Sequence, residues 1–254
     1  MNINKLYKEL GLQILYNGED KQTRNGNTRS LFGTQIKYDM GLHGFPLLSM
    51  RKINYVAAFG EFKGFMMDSN TIEQFEANEC GYWKLWADND GSLRLDYPPR
   101  KQLDYVIDLL KTDPNSRRIL IDLWNPENRG KLSLDPCHTQ YQFYVNKGGK
   151  LNMIWTQRSV DYAIGAPYDF ILAGCYMLTL CKECKMEPGE ITFNFGDAHL
   201  YEEHIEDFRL MMSRDTDALV IDSISLDGPK DFQLESIRID NYRPQQHIKY
   251  KLKA

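Results

Sequence analysis

Residues 151–172 read LNMIWTQRSVDYAIGAPYDFIL, and the change of pattern inside them decides what the chain builds. From Leu151 to Ser159 apolar and polar residues alternate, the period of a half-buried strand. TQYQFYV (139–145) alternates as well, and NKGGK between the two runs supplies turn residues, so they are read as paired strands. From Tyr168 to Lys185 the alternation gives way to a long apolar helix. Asp169 stands where that helix begins, between Tyr168 and the apolar run Phe170–Ala173, a place where burial penalises a charge. Asp is a favoured helix N-cap, and on the residues alone a cap is the simplest reading.

Outward from this stretch, Leu6, Leu10, Ile14 and Leu15 recur at helical spacing, which predicts a helix over 3–16. GEDKQTRNGNTRS (18–30) is polar, holds an Asn-Gly turn and reads as a loop. LFGTQIKYDM (31–40) reads as a strand, 54–65 as a helix carrying Glu61, and 118–123 as an apolar strand. GEITFNFGDAHLY (189–201) is a strand running into a polar cluster, and the tail is loop-rich with further strands. Residues 66–114 mix short helical patterns with turns and read as a smaller subdomain inside a single domain spanning 1–254.

The chain has 254 residues and a formal net charge of -4, so no global basic field points to a nucleic acid polymer. No apolar run approaches the roughly 20 residues of a membrane span. The N-terminal segment has acidic residues and no signal-peptide pattern, and the five cysteines show no framework spacing. Reduced thiols in a cytoplasm are therefore expected.

Several residues invite chemistry. Cys137 follows a proline at the mouth of a strand; such a thiol attacks as thiolate when positive charge lies near, although a lone cysteine there is more often a small apolar core residue. Arg24, the pair Arg117 and Arg118, and Arg158 followed by Ser159 offer the forked donors that a phosphate monoester needs. Any one of them taken singly is more often surface charge. His199 and Tyr201, two apart on a strand, face one side and suit a sugar hydroxyl. No metal site is expected: His199 and His204 are five apart, and Cys181 and Cys184 make half a zinc motif inside a helix. Neither a Walker loop nor a GxGxxG fingerprint is present.

Together these pieces resemble the thymidylate synthase family, which includes the deoxycytidylate hydroxymethylases and methylases. The likeness runs along nearly the whole chain in family order: FGTQIKYDM with GFPLLSMRK, GEFKGFMMDSNTI, YWKLWADNDG, DPNSRRI, DPCHTQYQFYV, QRSVDYAIGAPYDF, FGDAHLYEEHIE and YRPQQHIKYKLKA. It implies an α+β fold, with a large mixed β-sheet, flanking helices and a homodimer packed sheet to sheet. It also implies a pyrimidine deoxynucleotide monophosphate as substrate and 5,10-methylenetetrahydrofolate as one-carbon donor. By position, Cys137 would add to C6 of the base, with Glu61, Tyr97, His138 and Asp169 as its catalytic neighbours. Arg24, Arg158 and Ser159 would hold the phosphate, joined by Arg117 and Arg118 of a second subunit. Gln157 and Asp169 would face the base, and His199 and Tyr201 the sugar. Arg51, Trp83, Asp161, Gly165, Tyr168, Leu252 and Ala254 would line the folate side. The Arg24 loop is one residue shorter than in the family pattern.

Within that resemblance Asp169 changes meaning, because the synthases carry asparagine there. An amide accepts from uracil N3–H and donates to O4; a protonated carboxyl donates to cytosine N3 and accepts from the 4-amino group. The expected substrate is dCMP. The expected product is the hydroxymethyl nucleotide, since Lys251 and Lys253 make the closing tail more polar and RLDYPPRKQ (94–102) is short for a folate wall. Methylation of dCMP, synthase action on dUMP and a non-catalytic nucleotide- or RNA-binding role remain alternatives. A cytosine-directed member fits a virus, such as a phage, that modifies its DNA precursors.

Overall fold

A computed structural model describes residues 1–97, 100–217, 224–225, 238–239 and 242–253. In chain order its elements are α1 (Ile3–Asn17), β1 (Glu19–Thr23), β2 (Gly26–Asp39), α2 (Met40–His43), α3 (Tyr55–Met66), α4 (Ile72–Glu76), α5 (Arg100–Thr112), β3 (Leu120–Asp122), β4 (His138–Val145), β5 (Lys150–Asp161), α6 (Gly165–Cys184), β6 (Glu187–Tyr201), α7 (Ile205–Met212), β7 (Ile224–Ser225) and β8 (Arg238–Ile239). Six strands form one sheet in the order β1-β2-β6-β5-β4-β3. The β5–β6 pair is parallel and the others antiparallel. The fold is thus α+β with a mixed sheet and flanking helices. The crossover that makes β5 and β6 parallel is α6, as such a connection requires.

Alternation along β5 turns Leu151, Met153, Trp155 and Gln157 inward, where Trp155 stacks on Tyr141 of β4 with centroids 4.1 Å apart. Nearly every side of α6 is buried, from Ala166 to Cys181, which is why its sequence is apolar all round. It packs against α3, α5, β5 and β6. On the flank, Tyr7 of α1 stacks on Tyr162 at 4.7 Å, and each hydroxyl donates to the other's backbone carbonyl. That reciprocal pair pins the turn between β5 and α6, where several site residues lie.

Three expectations need correction. Residues 18–30 are not a loop: β1 and the start of β2 form a hairpin with Arg24 and Asn25 at its tip. Its first strand is exposed at every position, so it has no buried face and no alternation to read. Residues 100–112, expected as short helical pieces, form the single helix α5. Finally, α6 starts at Gly165, three residues before the expected Tyr168, because Pro167 is tolerated within a first turn. Ile164 is the N-cap residue, and Asp169 lies inside the helix and caps nothing. Of the stretch 94–102, Pro98 and Pro99 lie outside the described residues, as does Ala254.

Candidate active site

A cavity of about 510 Å³, within the range of small-molecule sites, opens where the ends of β5 and β6, the start of α6, α3 and the tail converge. A second hollow of about 370 Å³ adjoins it and shares Arg24, Asn25, Arg158, Ser159, His199 and Tyr201.

Cys137 sits at the entry to β4, partly exposed. Its backbone N–H donates to the Tyr97 hydroxyl at 2.8 Å, and its carbonyl accepts from Arg158 N at 2.9 Å. The Arg158 guanidinium is tied to the same turn: Nε donates to Pro136 O at 2.8 Å and Nη2 to Asp135 O at 2.9 Å. Nη2 is also 3.9 Å from the Cys137 sulfur. Burial pushes the thiol above its ordinary pKa, and the Arg158 charge pulls it back down. The cation offsets desolvation and does not overcome it.

Asp169 faces the cavity from the second turn of α6, buried. Its Oδ1 is 2.9 Å from His138 Nε2, and its Oδ2 accepts from Gln157 Nε2 at 2.9 Å. His138 Nδ1 in turn meets the Tyr141 hydroxyl at 2.8 Å. One proton occupies the Nε2–Oδ1 line, carried by ring or carboxyl, and Tyr141 donates or accepts to match. Each Asp169 oxygen keeps a lone pair for a ligand. Glu61 enters from α3 and accepts from Trp83 Nε1 at 3.0 Å. Burial raises its pKa to about 8, against the pull of the neighbouring Tyr82 hydroxyl and with the Asp169 charge adding to the rise.

At the polar end, His199 and Tyr201 share one side of β6, ring centroids 5.3 Å apart, and Ser159 lies on neighbouring β5. Asp197 steadies His199 through Nδ1 at 3.2 Å, and that bond holds its carboxyl below the usual range. Arg24 reaches this end from the hairpin tip, Nε donating to Asn25 Oδ1 at 3.1 Å. The other wall is apolar, from Trp83, Trp86, Ile164, Tyr168 and Leu252, with Gly165 leaving room. Asp161 is the acid in that wall. Its Oδ1 accepts from the N–H groups of Ala163 and Ile164, both at 3.0 Å. Burial pushes its pKa up, and His199 opposes the shift. An aromatic wall with one carboxyl fits a flat heterocycle bearing amino groups.

Three expected residues are not in this lining. Arg117 and Arg118 are exposed outside it. Arg51 is buried behind the wall, donating to Ala163 O at 2.9 Å with its guanidinium 5.3 Å from the Tyr250 ring. Other residues came without notice from the sequence. Tyr82 and Tyr250 belong to no catalytic residue pattern and reach the cavity by packing alone. His204, weighed in the sequence only as a metal ligand, bonds Lys251 O at 3.0 Å and packs edge-on against Tyr250, while Lys253 pairs with Glu203 at 2.8 Å. The tail therefore lies fastened over the cavity.

Among the described residues no group of three His, Cys, Asp or Glu side chains is placed to hold a metal ion, and no helix is long and apolar enough to cross a membrane. The site thus combines a thiol, a guanidinium, two buried carboxyls and an aromatic wall. In comparison with known families, residues 5–254 match the model described as Thymidylate synthase.

Proposed function

The chain belongs to the thymidylate synthase family, whose members are typically homodimers that transfer a one-carbon unit from methylenetetrahydrofolate to a pyrimidine nucleotide, and on that premise we propose that this enzyme makes 5-hydroxymethyl-dCMP from dCMP. The observation that carries the choice of base is the setting of Asp169. It caps no helix, it is clamped by His138 and Gln157, and it faces the same cavity as Cys137. One oxygen accepts from the cytosine 4-amino group, and the other shares a proton with N3. Uracil would present O4 to a carboxylate oxygen, acceptor against acceptor. A mispaired buried polar group costs roughly 1–3 kcal/mol, a preference of about ten- to a hundredfold.

Cys137 adds to C6, which makes C5 an enamine-like nucleophile and splits one hard step into easier ones. The proton shared between Asp169 and N3 draws charge from the ring during that addition. Folate supplies the carbon at the oxidation level of formaldehyde. Arg158, Ser159 and Arg24 hold the phosphate, and Arg117 and Arg118 serve a second subunit's site. His199 and Tyr201 bind the sugar, Tyr97 stands by the C5 proton, and Glu61 orders water and moves protons. Trp83, Asp161, Gly165, Tyr168 and Leu252 form the folate side. Two features favour water over hydride in the last step: the charged Lys253–Glu203 fastening of the tail, and the buried Tyr82 hydroxyl beside Glu61.

The test is to supply dCMP or dUMP with methylenetetrahydrofolate, weigh the nucleotide product and follow dihydrofolate. Hydroxymethyl transfer leaves tetrahydrofolate. A methylated product with matching dihydrofolate would establish dCMP methylation instead. Preference for dUMP in wild type, or no reversal of preference in Asp169→Asn, would remove the cytosine reading. A binding protein would release no tritium from C5-labelled dCMP, whereas the enzyme releases it and Cys137→Ser does not.

A further inference from the structure

Arg158 is held along one edge by two backbone carbonyls, Pro136 O and Asp135 O. Those bonds fix where the edge of the guanidinium lies but leave its plane free to rock about them. The Trp124 ring supplies what is missing. It follows β3, is half-buried, and its centroid lies 5.4 Å from the Arg158 Cζ. Arg129, an exposed residue, brings a second guanidinium to the same indole, also at 5.4 Å. A tryptophan face attracts a guanidinium more strongly than other rings do, and more so where water is thin.

We propose that Trp124 is a positioning residue: by fixing the plane of Arg158 it keeps Nη2 directed at the Cys137 sulfur and sets how readily that sulfur becomes a thiolate. The charged and titratable groups that act on the sulfur are Arg158, Asp169, Tyr97 and Asp135, and of these Arg158 is the one that favours the anion most. The effect of Trp124 on the sulfur therefore passes through Arg158. This deepens the reading of Cys137 as nucleophile. Its test uses neither nucleotide nor folate, so it can fail or succeed apart from the test of product and base.

The experiment is iodoacetamide alkylation of Cys137 in the free enzyme as a function of pH, with the Cys137 peptide followed by mass so that other thiols do not confuse the rate. Trp124→Leu is expected to slow alkylation at pH 7.5 by about three- to tenfold and to move the midpoint to higher pH, while Trp124→Phe recovers most of the rate. In an Arg158→Gln background, Trp124→Leu is expected to add nothing further, because the cation through which it acts is gone. If Trp124→Leu does not fold, Trp124→Met, which keeps apolar bulk without a π face, is read the same way. A rate–pH curve that superimposes on wild type would overturn the proposal. So would a Trp124 effect of equal size with Gln at position 158, the sign of a general packing role.

Discussion

His138 and Asp169 meet at the cavity floor, Nε2 to Oδ1 at 2.9 Å, with both side chains buried. The two come from distant parts of the chain, His138 from the entry to β4 and Asp169 from the second turn of α6. Tyr141 on the far nitrogen of the ring and Gln157 on the far oxygen of the carboxyl extend the contact into a four-residue line. In such a line the position of one proton at Asp169 is tied to the position of another at His138. A ligand whose ring nitrogen takes or gives a proton at Asp169 is felt through to Tyr141.

Removing the imidazole should therefore injure the reaction without injuring the nucleophile. His138→Asn is expected to lower kcat/KM for dCMP by about ten- to a hundredfold, the effect of leaving a buried carboxyl short of one partner. Alkylation of Cys137 is expected to stay within about twofold of wild type, since the charges acting on the sulfur are those of Arg158, Asp169, Tyr97 and Asp135. Equal losses in both assays would mean that the ring serves only to hold the strand.

Much of this arrangement was legible beforehand, and the exceptions have physical causes. β4, β5 and β6 announced themselves because one face of each is buried, and burial imposes alternation. The β1–β2 hairpin did not, because β1 has no buried face. The first turn of α6 was hidden by Pro167, and with it the evidence that Asp169 is no cap. Arg158, Asp169 and His199 stand in continuous motifs on regular elements, and Cys137 in one at the entry to β4. Tyr82, Tyr250 and the fastening role of His204 depend on how a short 3-10 turn and an irregular tail fold back across the sheet, which no local period encodes. Arg51 was expected on the folate side from the resemblance alone; it is buried against a carbonyl and a ring.

Gly196 gives a test of the frame around Arg158. It lies on β6 between the residues paired with Gln157 and Ser159, and a Cβ there would sit 2.5 Å from the Arg158 carbonyl oxygen. Neither strand of the sheet's centre has room to retreat. Gly196→Ala is expected to cost about 1–3 kcal/mol of stability through overpacking. Displacement of Arg158 should also raise the nucleotide KM more than the folate KM. Equal changes in the two constants would show that the shift does not reach the guanidinium.

Glu61 makes stability depend on pH in a direction opposite to that of a paired surface carboxylate. Its pKa is raised from 4.5 to about 8, chiefly by burial. Between those values the folded protein keeps a proton that the unfolded chain has released, so the contribution of this group is full below 4.5, falls as pH rises, and levels off above about 8. Glu61→Gln lacks the titration. Across that window the stability of the variant relative to wild type should rise steadily, by at most about 5 kcal/mol. Melting curves of both proteins from acid to alkaline pH measure the difference directly, and a difference flat with pH would mean that Glu61 ionises as an ordinary carboxyl.

The fastened tail yields a prediction whose size is set by exposure. Lys253 pairs with Glu203 at 2.8 Å, with side chains 23% and 44% exposed, and its ammonium also lies 5.9 Å from the Tyr201 ring. A pair that open to water is worth at most about 1 kcal/mol, which is about fivefold in an equilibrium. The His204–Lys251 bond is deeper, with the ring 3% exposed, and holds the tail two residues earlier. Lys253→Ala should therefore leave the tail in place but looser, raising the folate KM about two- to fivefold and leaving the nucleotide KM within about twofold. Added salt should produce part of the same change in wild type and little in the variant, because it screens the pair that the variant lacks. His204→Phe keeps the ring packing against Tyr250 and removes the bond to the Lys251 carbonyl; it should exceed Lys253→Ala in its effect on the folate KM. If Lys253→Ala were the more damaging of the two, the lysine would be acting on the ligand itself and not on the closure of the tail.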